Sequence, residues 1–91
     1  MHLRWPTPAS RDLYRIVQRI QQDNPTAAAQ VASTLYEGCG NLKRFPYSGR
    51  SGRIEGTREL IFSGLPYIVV YRVKGQVVEI LRIYHAAQDW P

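Results

Sequence analysis

The sequence predicts an α+β fold in which two helices cover one face of a small antiparallel sheet. Three features carry that expectation. Apolar residues recur at helical spacing through the first half, the second half consists of short runs rich in Val, Ile, Tyr and Phe, and a Pro/Gly-rich stretch divides them. The order is (β)ααβββ within a single domain spanning residues 1–91. Thr7-Pro8 supplies an N-cap followed by a proline at the first helical position, where a missing N–H costs nothing. Leu13, Ile16, Val17 and Ile20 then fall on one helical face, with Arg11, Asp12, Arg15 and Arg19 mostly in other directions. Asp23-Asn24-Pro25 repeats the start signal. Ala28, Val31, Leu35, Cys39 and Leu42 step by three or four residues, so a second helix runs to about Gly40 or Leu42, and so short a turn makes an antiparallel hairpin. Lys43 and Arg44 close that helix, where cations complement its dipole.

From Phe45 the pattern changes. FPYSGRSGR reads as a loop, and Thr57–Phe62, Tyr67–Val73 and Val77–Tyr84 read as strands. Lys74-Gly75 lies at a tight hairpin turn, Ser63-Gly64-Leu65-Pro66 breaks the chain before it, and Leu3–Trp5 can add a short strand.

Ninety-one residues carry a net charge of +5, an excess that favours a polyanion or an acidic protein partner. No apolar run reaches the roughly 18–20 residues of a membrane span, and MHLRWPTP has no signal-peptide core. One cysteine, Cys39, excludes an internal disulfide framework, and its register with Leu35 and Leu42 marks it as a buried small hydrophobe. A cytoplasmic protein is expected. No metal-ligand spacing surrounds His2 or His85, and neither a P-loop nor GxGxxG nor a GxSxG elbow occurs, so no metal or cofactor is expected.

What remains is a cluster of cations with interleaved aromatic residues. Arg50 and Arg53 lie in the Gly/Ser loop, Arg58 opens a strand, and Arg72 and Arg82 sit in the next two. A guanidinium matches phosphate oxygens bidentately and stays charged, and Tyr47, Tyr67, Tyr71, Tyr84 and Trp90 offer rings for stacking. Arg58 and Arg82 interrupt apolar strands and so must meet something polar: a site, solvent, or a salt bridge to Glu59 or Glu79. His85, at the end of the last strand, is a general acid/base candidate, and the Tyr84 phenol a proton donor. The Trp90-Pro91 tail is expected to cap the core. Arg82 and His85 differ by three positions and share a face only if the strand ends or bulges near Tyr84; Arg82 and Tyr84 share parity.

Several phrases resemble the RelE/ParE superfamily of bacterial toxins over about Trp5 to Pro91. They are the hairpin with Asp23-Asn24-Pro25, Leu42-x-x-Phe45-Pro46-x-x-Gly49-Arg50, Gly56-Thr57-Arg58-Glu59-Leu60, Tyr67-x-Val69-x-Tyr71-Arg72-Val73, and Ile80-Leu81-Arg82-Ile83-x-His85-x-x-Gln88-x-Trp90-Pro91. The resemblance implies the toxin of a type II toxin–antitoxin module, held inactive in a hetero-oligomer by an antitoxin whose C-terminal segment wraps it. RelE-like members cleave messenger RNA in the ribosomal A site without a metal, whereas ParE-like members inhibit DNA gyrase and cleave no RNA. The first reading is the RelE-like mRNA endonuclease, acting on ribosome and mRNA, and the alternative is the gyrase inhibitor. For the nuclease, this sequence offers Arg58 and Arg82 as charge stabilisers, Arg50 or Arg53 as phosphate positioners and His85 as acid/base, with Glu59 as a carboxylate partner; Arg58 and the Arg82/His85 region match positions where RelE-like toxins carry such residues. The lysine-rich run of some RelE members is replaced here by arginine, serine and glycine.

Overall fold

The computed structural model describes residues 1–90; Pro91, the end of the expected Trp90-Pro91 cap, lies outside them. Strand β1 (His2–Arg4) leads into helix α1 (Thr7–Asp23). Pro6, not Thr7, caps α1: its extended backbone turns its carbonyl toward the N–H groups of Ala9 and Ser10, and no side chain caps the helix. Asn24 alone separates α1 from α2 (Pro25–Gly40), and its side chain accepts from Ala27 N at 3.0 Å, as an N-cap asparagine should. Beyond Gly40 the chain tightens into a 3-10 turn, Asn41–Lys43, so Lys43 and Arg44 lie past α2 rather than in its last turn.

Three longer strands follow as expected: β3 (Arg58–Ile61), β4 (Tyr67–Lys74) and β5 (Val77–His85). Gly75, at φ +60°, makes the two-residue turn between β4 and β5 in the left-handed region that favours glycine. Two features depart from the sequence reading. Arg50–Ser51, within the expected loop, form a two-residue strand β2 against Glu59 and Arg58, and β1 pairs with β5 in parallel, so the sheet is mixed. Its order is β1-β5-β4-β3-β2.

The helices cover one face. Val69, Tyr71, Val78, Ile80 and Ile83 meet Ala9, Leu35, Cys39 and Leu42, with Leu13, Ile16 and Val31 half-buried at the margin. Burying one side chain such as Leu35, fully enclosed here, contributes about 2 kcal/mol before entropic costs. The opposite, open face carries a smaller cluster of Ile68, Val70 and Tyr84, packed by Leu81 and Trp90. Val70 is opposite Arg82 but Tyr71 is opposite Ile80, so Leu81 is the extra residue of a β-bulge. The bulge precedes Arg82, and β5 continues regularly to His85.

Candidate functional site

Two groups of polar side chains organise the second half. The first fixes the loop before β2. The buried Tyr71 hydroxyl donates to Pro46 O at 2.8 Å and accepts from Gly49 N at 2.9 Å. Arg58 donates to Gly49 O from Nε (3.0 Å) and from its terminal nitrogen (2.6 Å), and to Tyr47 O at 3.1 Å. The loop must approach this closely, since a Cβ on Gly49 would stand 2.7 Å from the Tyr71 hydroxyl and 2.8 Å from Glu59 O. Arg58 meets neither Glu59 nor Glu79; it holds main-chain carbonyls, and its guanidinium stands 5.5 Å from the Tyr47 ring centroid.

The second group spans the open face. Glu59, 2% exposed, accepts from Arg50 (2.9 and 3.1 Å) and from the backbone N–H of Arg53 (3.2 Å). Glu79 holds Arg72 at 2.7 Å and Arg4 at 3.1 Å. Arg82 therefore finds neither expected glutamate and reaches over the β5 edge to Asp12 of α1, which it grips through two bonds at 2.7 and 3.1 Å. That bond holds the Arg82 guanidinium even further into its charged form, against the opposing effect of burial. Trp90 lies over this face, stacked on Tyr84 at 5.1 Å, with Arg82 5.8 Å from its ring centroid and Arg53 donating to its carbonyl at 2.5 Å. The Tyr84 hydroxyl beneath is buried without a partner among the described residues, and burial first, then the Glu59 charge, pushes its pKa up while Arg53 and Arg50 oppose the rise.

His85 belongs to neither group. It lies opposite Tyr67, with the rings edge to face at 5.6 Å, and its Nδ1 accepts from Ala87 N at 3.0 Å. Because β5 runs straight from Arg82 to His85, the two side chains leave opposite faces. Arg58 lies opposite Tyr71, and Tyr67 and Tyr71 are separated by about 13 Å of strand. Of the sequence-derived candidates, Arg82, Tyr84, Arg53 and Arg50 gather on the open face; His85 leaves the helix side but lines a cleft at the β5 edge with Tyr84, Arg15 and Arg19, and Arg58 stands apart.

Two features had escaped the sequence reading. Asp12 takes the central pairing role with Arg82; its signal was a carboxylate one turn before Ile16, in line with the apolar stripe. The other is an apolar groove on the helical hairpin, of about 500 Å³, lined by Trp5, Leu13, Tyr14, Val17, Ala32 and Tyr36. Tyr14 and Tyr36 are 65% and 63% exposed beside it, and Tyr36 stacks on Trp5 at 6.2 Å. Among the described residues no cluster of His, Cys, Asp and Glu could hold a metal ion, and no helix is long and apolar enough to cross a membrane.

Comparison with known proteins places this arrangement in context. A family model described as the ParE toxin of the type II toxin–antitoxin system parDE matches residues 3–90. The chain is 44% identical over 89 residues to the Sinorhizobium fredii protein named "Putative toxin Y4kP", covering 98% of this chain and 92% of that one. It is 36% identical to Toxin RelE2 of Caulobacter vibrioides, covering 92% and 93%. Among solved structures, a chain of the chromosomal ParDE system of P. aeruginosa superposes with a TM-score of 0.84 at 28% identity, covering 93% of this chain and 95% of that one. A chain of the RelBE2 toxin–antitoxin complex of Mycobacterium tuberculosis gives 0.62 at 29% identity, covering 92% and 95%.

Proposed function

The chain belongs to the RelE/ParE superfamily of bacterial type II toxins, and from that premise we propose that it acts in the ParE-like manner, inhibiting DNA gyrase by binding and cleaving no RNA. This reverses the order of the two readings drawn from sequence. The observation that carries it is the dispersal of the nuclease candidates. Metal-free RNA cleavage needs a base at the 2′-hydroxyl, cations at the phosphorane and an acid at the leaving oxygen, all around one phosphorus atom. Arg58 and His85 stand on the helix side, far apart along the sheet, while Arg82 leaves the other face and is bonded to Asp12. The closer superposition on the ParDE chain than on the RelBE2 chain supports the same reading.

One observation favours the nuclease: Arg82 and Tyr84 share the open face with Arg53 and Arg50. Induction of the toxin, followed by primer extension on an abundant transcript and a supercoiling assay with purified gyrase, separates the two. Failed supercoiling with intact transcripts is expected. New translation-dependent mRNA ends with normal supercoiling would overturn the gyrase reading.

Membership also implies an antitoxin, and the apolar groove between α1 and α2 is the surface we assign to it, because Tyr14 and Tyr36 stand largely exposed there beside the half-buried Trp5. Ala32→Glu is expected to leave toxicity intact and to abolish rescue by the co-expressed antitoxin. Full rescue of that variant would move the antitoxin elsewhere.

A further inference from the structure

We propose that the Phe45–Tyr47 loop is a stacking platform for single-stranded nucleic acid. The proposal is independent of the gyrase reading and concerns a surface apart from both the open face and the hairpin groove. Phe45 and Tyr47 are 59% and 63% exposed, on either side of Pro46, in a segment that makes no contribution to either apolar cluster. The two rings are neighbours two positions apart, and they sit on backbone that is held in place and cannot collapse to hide them. Tyr71 fixes Pro46 and Gly49, Arg58 fixes Tyr47 and Gly49, and Phe45 N bonds Asn41 O at 3.0 Å. The platform is therefore rigid before anything binds, which lowers the entropic cost of binding.

A guanidinium lies over one face of each ring. Arg44 lies 5.4 Å from the Phe45 centroid and Arg58 5.5 Å from that of Tyr47. Among the described residues, neither arginine forms a salt bridge, in contrast with Arg4, Arg50, Arg72 and Arg82. Lys43 adjoins Arg44 in sequence. A largely exposed ring with a cation over one face is suited to a base on its other face and a phosphate beside the cation. The protein's net charge of +5 works in the same direction. One carboxylate opposes it: Glu55, exposed in the shallow cleft that Tyr47 and Arg58 also line.

The test is fluorescence anisotropy of the full chain with a labelled oligothymidylate of roughly twelve nucleotides. An abasic strand of equal length and an oligouridylate serve as further arms. Tighter binding of oligothymidylate than of the abasic strand is expected, because only the former has bases to stack. Phe45→Leu and Tyr47→Leu, at exposed positions that leave the fold intact by circular dichroism, are each expected to weaken oligothymidylate about tenfold and the abasic strand hardly at all. Tyr47→Trp is expected to restore binding, and Glu55→Gln to tighten it about twofold. Equal affinity for oligothymidylate and oligouridylate identifies a shape-reading platform; a preference for one identifies DNA or RNA as its source. Oligothymidylate bound no better than the abasic strand, or unchanged by the leucine variants, would overturn the proposal. Supercoiling inhibition is measured separately, so loss of one activity leaves the other legible.

Discussion

The arginines of the open sheet face and those around the Phe45–Tyr47 loop are chemically identical and are used in opposite ways. On the open face, Arg50, Arg72 and Arg82 each close on a carboxylate that is 12% exposed or less: Glu59, Glu79 and Asp12. Around the loop, Arg44 and Arg58 meet ring faces and carbonyl oxygens, which polarise toward a cation without neutralising it. The difference teaches that a count of arginines says little about anion binding. What matters is whether each charge already has a counter-charge, and the open face has used most of its own internally.

The comparison breaks most severely at Asp12. Asp12→Ala leaves the Ile83 N–H buried and unpaired and Arg82 without its carboxylate, so a loss of about 3 kcal/mol is expected in urea denaturation. Arg82→Ala is expected to cost only about 1 kcal/mol, because its side chain is 45% exposed and water replaces part of the interaction. A cost for Arg82→Ala equal to that of Asp12→Ala would mean that the pair, rather than the strand edge, carries the stability.

On the loop side, Tyr71→Phe removes a donor and an acceptor together and strands Gly49 N, with an expected loss of about 2 kcal/mol. Unchanged stability would show that the loop is held by Arg58 alone. The smallest structural effect is expected from Arg44→Ala, within about 0.5 kcal/mol in stability, with the salt slope of oligonucleotide binding falling by about one. A control belonging to neither region is Cys39, whose thiol burial pushes up to about 12 from 9.0. The unfolded thiol ionises first, so the unfolded state binds fewer protons above pH 9 and stability falls as pH rises toward 12, by about 1 kcal/mol over the first unit. A Cys39→Ala variant losing stability along the same curve would assign that slope to other groups.

Much of the fold was legible because its signals are local. The 3.6-residue stepping of Leu35, Cys39 and Leu42 reports a buried stripe, and Asn24-Pro25 reports a cap, without knowledge of anything distant. The site was legible in composition but not in arrangement. Sequence distinguishes neither Arg58 bonding to carbonyls nine and eleven residues back from Arg58 bonding to a phosphate, nor an Arg82 that has a partner 70 residues away from one that has none. Parity supplied one useful constraint, since it separated His85 from Arg82 once β5 proved straight. Strand β2 was missed because two residues carry no alternation and owe their pairing to β3.

Past Glu79, where β1 stops, the outer side of β5 has no neighbouring strand. Its N–H groups are nonetheless occupied, Ile83 by the Asp12 carboxylate at 2.9 Å and His85 by the Gln88 side chain at 2.8 Å. Those two side chains act as chain terminators for the sheet. Along this stretch of β5 a second copy of the protein meets two donors that are already bonded, which discourages strand addition at this edge. Any partner that did add a strand there would first have to evict Asp12, and would release Arg82 as it did so.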